Sequence, residues 1–264
     1  MMSFKNREVF PGVYHIQDCM GVCMTLVAGS KYALLADAGY GLESVSETVK
    51  ELTDLPCRLI LTHGHHDHAL GAMWFDDVIL HPDDRSVYAL YTSKAQRQIV
   101  LSQAAEKGLE PDESVYLDRT MPDPEAPQTD MMELGGLHVQ LLHCPGHTPG
   151  SLMLYIPEYR LLLTGDNWNP TAWLFFPEAL GVREYLRNMR RCLRDLPIET
   201  VLCPHSYETQ SMKTMSAFME GLTDECLKAA QPCPEGISRG IRTMRCEPSP
   251  GQQLIFDADK LEII

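Results

Sequence analysis

The chain has 264 residues, a net charge of −14 and a pI near 5.1, so it lacks the excess of Lys and Arg that a phosphate-binding surface needs. Its 44% apolar and 22% charged residues suit an ordinary globular fold, and the length allows a sizeable core. No apolar run is long enough to span a bilayer, and the N-terminal stretch lacks the apolar core of a signal peptide. The expectation is a cytoplasmic protein with no nucleic-acid or membrane partner. Nine cysteines, none spaced C-x-x-C, fit reduced thiols in that compartment.

In chain order, Gly12–Ile16, Cys23–Val27 and Tyr32–Ala36 read as strands, with a hairpin turn at Gly29-Ser30-Lys31. Leu42, Val45, Val49 and Leu52 follow helical spacing and stop before Pro56. The apolar run Leu59–Thr62 then leads into T-H-G-H-H-D-H-A-L-G, residues 62 to 71. Alternate residues of an extended segment point the same way, so His63 and His65 can reach one ion. A turn carries Asp67 and His68 to a second position nearby, with His66 between. Imidazole and carboxylate suit zinc and related divalent ions.

Asp77–His81 reads as a further strand, and His81 as a structural residue. Residues 83–130 form an insertion: a helix or helix pair over about residues 84–107, then a turn-rich stretch with three prolines between Met121 and Pro127. It either shapes a substrate pocket or packs as outer helix. Three strand-like runs follow, each ending in a ligand-capable loop. Val139–Leu142 leads to H-C-P-G-H-T-P-G-S with His147, Arg160–Thr164 to Gly165-Asp166, and Thr200–Cys203 to Pro204-His205. Cys144 has no role in this set. Trp168 and Trp173 follow Asp166 and are candidates for an aromatic pocket, while Phe175 and Phe176 read as core. Arg183–Leu196 and Met212–Leu222 have amphipathic helical spacing, and two late strands flank Ser249-Pro250-Gly251. Arg239, Arg242 and Arg245 either hold a substrate carboxylate or stand exposed without a partner.

The combination H-x-H-x-D-H, P-G-H-T-P-G-S, T-G-D and a late P-H closely resembles the metallo-β-lactamase superfamily over roughly residues 9–210. The resemblance implies an α+β fold, a four-layer αββα sandwich, formed by one domain over residues 1–264. It implies two divalent metal ions per chain: His63, His65 and His147 on the first, Asp67, His68 and His205 on the second, and Asp166 bridging. Asp67 and Asp166 are then also the catalytic residues. The oxygen-reducing diiron branch carries glutamate at the position of His65, so the imidazole here favours zinc hydrolysis, with manganese or iron as alternatives. Asp37 matches an acid that orients a ligand imidazole; the other reading is a strand-end turn residue. The expected function is a dinuclear hydrolase of a small molecule's ester-like bond (lactone, thioester, ester or lactam). A phosphodiesterase or a non-catalytic metal-binding protein are the alternatives. A glutathione-binding helical domain of the glyoxalase II type is not evident after His205, and a lactonase-like tyrosine could be Tyr207 or Tyr185. Oligomeric state is not legible.

Overall fold

The computed structural model describes residues 4–236 and 240–261. The described chain divides into two compact units. One runs up to Leu141 and includes Ile156–Tyr159; the other holds Leu142–Tyr155 and the chain from Arg160 onward.

In the first unit, β1 (Lys5–Phe10), β2 (Val13–Gln17), β3 (Cys23–Ala28) and β4 (Ala33–Ala36) form an antiparallel ladder. Helix α1 (Val45–Leu52) then crosses over, so β5 (Cys57–Ile60) and β6 (Val78–Ile79) add parallel, in the sheet order β1-β2-β3-β4-β5-β6. The central strands are apolar on both faces: β3 and β4 are buried along nearly their whole length. Ile16, Leu26, Leu35 and Leu59 are fully buried in this core. Each contributes roughly 1.5–3 kcal/mol relative to exposure. Strand β1, K-N-R-E-V-F, was not expected from the sequence. It is an exposed edge strand whose polar residues carry no apolar alternation, and its pairing with β2 defines it.

Between β5 and β6 lie α2 (His66–Ala69) and a 3₁₀ turn, Leu70–Trp74. After β6 come α3 (Arg85–Tyr91), α4 (Lys94–Glu106) and α5 (Glu113–Asp118). The expected helix pair is present, broken at Thr92-Ser93, where Ser93 caps α4 through the Gln96 N–H. Helix α5 is additional, capped by Asp112. Its Tyr116 packs with Leu42, Leu70, Met73 and Val100, and its hydroxyl donates to the Tyr40 carbonyl at 2.8 Å. The proline-rich stretch then returns to the sheet edge, where Glu125 and β6 exchange backbone hydrogen bonds. Residues 83–130 are therefore largely a packed flank of this unit. The turn of β7 (Met131–Glu133) with β8 (His138–His143) follows, and the unit boundary falls inside β8.

One contact ties α3 to the histidine loop. A Cβ at Gly64 would lie 2.5 Å from the Tyr88 backbone nitrogen and 2.9 Å from its Cα. The Gly64 N–H also donates to the buried Asp84 carboxylate at 2.8 Å. Backbone atoms of a helix cannot step aside singly, so Gly64→Ala is expected to destabilise by about 1–3 kcal/mol. Urea unfolding checks this; a change below about 0.5 kcal/mol would mean that α3 does not hold the loop.

The second unit contains β9 (Leu152–Ile156) up to Tyr155, β10 (Leu161–Leu163), β11 (Thr171–Leu174), α6 (Val182–Cys192), β12 (Thr200–Leu202), β13 (Gln210–Ser211), α7 (Met212–Gly221), α8 (Asp224–Lys228), β14 (Gln231–Pro232), β15 (Thr243–Ser249) and β16 (Gln252–Asp257). Strands β9, β10, β12 and β13 are sheet neighbours in the order β13-β12-β10-β9, with β10 and β12 parallel. A further sheet has the order β11-β16-β15-β14. Helix α6 buries Val182, Tyr185, Leu186 and Met189, one stripe at helical spacing, and leaves Arg187, Arg190 and Arg191 exposed. That stripe joins Phe175, Phe218 and Phe256 in one core.

The C-terminal arginines differ from expectation. Arg242 pairs with Asp259 at 2.5 Å and Arg245 pairs with Glu235, so both have carboxylate partners within their own unit. Arg239 lies outside the described residues. Among the described residues no helix is long and apolar enough to cross a membrane.

Candidate metal centre

Each unit carries a cluster of histidine and aspartate at strand ends. In the first, β5 ends at Ile60, the chain bends at Thr62 and His63, and His65 takes the N-cap position of α2. The expected turn after His65 is therefore the first turn of a short helix, and it carries Asp67 and His68. His63, His65 and His68 are all buried. Ring centroids of His63 and His65 lie 4.8 Å apart, and those of His63 and His68 4.2 Å. Asp67 Oδ2 is 3.5 Å from His68 Nε2.

Asp37 organises this cluster. It follows β4 at a positive φ of 64°, a conformation that aspartate tolerates better than most residues. Its Oδ1 accepts the Thr62 N–H at 2.7 Å. Its Oδ2 accepts the Thr62 hydroxyl at 2.8 Å and lies 2.9 Å from His68 Nδ1. A carboxylate only accepts, so His68 carries its proton on Nδ1 and presents a lone pair at Nε2. The Thr62 hydroxyl spends its hydrogen on Asp37. Its oxygen, 3.1 Å from His63 Nδ1, therefore accepts from that nitrogen, and His63 also presents Nε2. One buried carboxylate thus sets two imidazole tautomers, which is the orienting role and not that of a plain turn residue. His66 points elsewhere: its ring meets Tyr40 edge-on and stacks on Tyr91, while Tyr91 also lies 4.4 Å from the His65 ring.

In the second unit the ligand candidates come from three loops. His147 follows β8, Asp166 sits in the 3₁₀ turn after β10, and His205 follows β12. His147 Nδ1 is 2.7 Å from the Trp173 carbonyl oxygen, which can only accept, so this imidazole too presents Nε2. Asp166 Oδ2 lies 3.6 Å from His147 Nε2 and 3.2 Å from His205 Nε2. One carboxylate oxygen therefore lies close to both imidazoles. Imidazole nitrogen and carboxylate oxygen, with tautomers fixed to expose lone pairs, fit a divalent ion such as zinc or iron.

Other candidates separate on burial. Trp168 is fully buried in the second unit's core, so it lines no open pocket; the turn after Asp166 directs it inward. Trp173, on β11, is 43% exposed and stands beside Phe175 and Phe176, the latter edge-on to His147. Phe175 and Phe176 are core, as expected. Tyr185 cannot serve as an exposed phenol: it is buried, its hydroxyl donates to the Asn167 carbonyl, and burial pushes its pKa up. Cys144 is a buried thiol donating to Met189 Sδ at 3.6 Å. Hydrogen bonding with Cys192, then burial, raises its pKa, which is no condition for a thiolate ligand. Sequence reasoning missed Thr62, Asp84, Asn167 and Asn169, because a single polar residue beside a motif carries no pattern of its own.

The metallo-beta-lactamase superfamily profile matches residues 18–205. The chain belongs to that superfamily. Among curated relatives it is similar to the acyl-coenzyme A thioesterase MBLAC2 of Gallus gallus, with 26% identity over 210 residues, 72% of this chain and 75% of the relative. It is also similar to the hydroxyacylglutathione hydrolase GloC of Haemophilus influenzae, with 30% identity over 169 residues, 61% of this chain and 71% of the relative. Among solved structures, a metallo-beta-lactamase from Pontibacter korlensis aligns with a TM-score of 0.57 at 18% identity, covering 81% of this chain and 96% of that one. That likeness carries the fold, and the expected metallo-β-lactamase fold of the α+β class is borne out. The superfamily is one of metallo-hydrolases, and the two relatives are named as a thioesterase and a hydrolase.

Proposed function

We propose that this protein is a dinuclear metal-dependent hydrolase, one catalytic domain over its full length, that cleaves the thioester bond of a small acyl carrier conjugate. In this reading His63, His65 and His147 hold one ion, Asp67, His68 and His205 the other, and Asp166 bridges. Zinc is the preferred metal. The observation that carries it is the shared orientation of three buried imidazoles. His63, His68 and His147 each give the Nδ1 proton to a fixed acceptor, which turns a lone pair outward at Nε2. Metal-ligating histidines characteristically donate their other ring N–H to a carboxylate or carbonyl in this way.

Bound divalent ions supply a hydroxide at neutral pH and polarise a carbonyl oxygen. The protein's own groups do the rest. Asp166 holds one carboxylate oxygen toward both His147 and His205. Asp67, next to His68, is placed to orient the attacking water or take its proton. Trp173 offers an exposed ring for an apolar acyl group. The thioester, ahead of the lactone, ester or lactam, is favoured by the two named relatives, a thioesterase and an acylglutathione hydrolase.

The test is elemental analysis of protein purified without chelator, then turnover of acyl-coenzyme A and acylglutathione thioesters beside lactones, β-lactams and phosphodiesters. Two zinc ions per chain and preferential thioester cleavage are expected. Turnover confined to phosphodiesters, or metal binding with no turnover, overturns the reading.

A further inference from the structure

We infer that Asn167 and Asn169, the two residues flanking the turn after Asp166, are positioning residues that lock the second unit's three ligand loops into one hydrogen-bonded frame. This rests on the reading that His147, Asp166 and His205 are metal ligands.

Both side chains are buried, with 1% exposure for Asn167 and 2% for Asn169. Buried amides are costly unless both ends are satisfied, and here both ends are. Asn169 Nδ2 donates to Asp166 Oδ1 at 3.0 Å, while its Oδ1 accepts the His205 N–H at 3.2 Å. Asn167 Nδ2 donates to the Cys144 carbonyl at 2.8 Å, and its Oδ1 accepts the His147 N–H at 3.2 Å. The partners leave no ambiguity about which end is which, since a carboxylate or carbonyl must accept and a backbone N–H must donate.

The consequence is a division of labour around Asp166. Asn169 engages Oδ1 and so turns Oδ2 toward His147 Nε2 and His205 Nε2. The same amide fixes the backbone of His205, whose side chain is 38% exposed. Asn167 does for the His147 loop what Asn169 does for the His205 loop. A planar amide donates at one end and accepts at the other, as these two sets of partners require. Leucine has the shape but neither function, and aspartate would set two acceptors against each other at Asp166.

The experiment is a chelator-competition titration with zinc on wild-type, Asn169→Leu and Asn167→Leu protein, with the thermal melting of the metal-free forms as reference. Asn169→Leu should lower the affinity of one ion by about 10–100-fold, through His205 and Asp166 together, and weaken the other less, through Asp166 alone. Asn167→Leu should weaken an ion in the same range, and the double variant should weaken both. A general loss of structure would weaken both ions equally in each single variant and lower the melting temperature of its metal-free form. Unchanged affinities in variants that fold would overturn the inference while leaving the dinuclear reading intact. A wild type that binds no zinc, iron or manganese would overturn both. If Asn169→Leu does not fold, the wild type decides by NMR: the Asn169 side-chain amide protons should shift as zinc is added and exchange slowly with solvent. Absence of a zinc-dependent shift overturns the inference.

Discussion

Asp166→Asn is expected to lower kcat/KM on the best thioester by on the order of 1000-fold or more, about 4 kcal/mol of transition-state stabilisation, while the metal-free protein keeps its melting temperature within a few degrees. The substitution preserves shape, so the fold has no reason to fail. What changes is the donor pattern. Asn169 Nδ2 donates to Asp166 Oδ1, so an asparagine at 166 would satisfy it with its single oxygen. Its NH2 would then face His147 Nε2 and His205 Nε2, where the wild type has Oδ2 at 3.6 and 3.2 Å. If the amide turned the other way, its NH2 would meet the Asn169 NH2. Either orientation loses an essential contact, and the bridging oxygen goes in the preferred one. Zinc content should fall from two per chain to one or fewer. Unchanged turnover with full metal content would sink the dinuclear mechanism.

Asp37→Asn is the second large effect, and it acts through proton positions. Asp37 accepts from the Thr62 N–H, the Thr62 hydroxyl and His68 Nδ1. An amide can accept the first at its oxygen, but it turns donors on the other two. His68 would then accept at Nδ1 and carry its proton at Nε2. The Thr62 hydroxyl, no longer donating to Asp37, would donate to His63 Nδ1 and invert that imidazole as well. Both nitrogens that should face a cation become N–H groups. The same change in a serine-protease triad costs about 10⁴ in kcat through the wrong tautomer. We expect zinc affinity to fall by at least about 100-fold with little loss of stability, and ¹⁵N NMR of the imidazoles to report the exchanged tautomers. Asp37→Ala should behave differently. It leaves buried donors unsatisfied, and each costs about 1–3 kcal/mol, so the melting temperature itself should drop. Retained zinc affinity in Asp37→Asn would show that Asp37 is a structural turn residue and no more.

These two substitutions separate what the sequence offers from what it withholds. His63, His65, Asp67, His68, His147, Asp166 and His205 were named from spacing and resemblance, because metal-binding loops place several chemically distinctive residues close together in the chain. The strands leading into those loops were legible for the same kind of reason. Leu59–Thr62, Val139–Leu142 and Thr200–Cys203 are apolar runs bounded by turn residues, and β5, β8 and β12 fall on them. Strand β1 and helix α5 escaped, since an exposed edge and a short capped helix owe their form to neighbours and not to their own periodicity.

The sequence by itself determined the superfamily and offered the candidate donors and the order of the loops that carry them. Local composition is enough for those, as each depends on residues near one another in the chain. Tertiary structure alone decided which groups support the ligands. Asp37 reaches Thr62 and His68, Asn167 reaches Cys144 and His147, and Asn169 reaches His205. It also decided that Trp168 is core while Trp173 is exposed, though the two stand five residues apart in one aromatic run. A side chain's direction, and the partner it meets across the fold, are set by packing between distant segments, and no window of sequence contains that information.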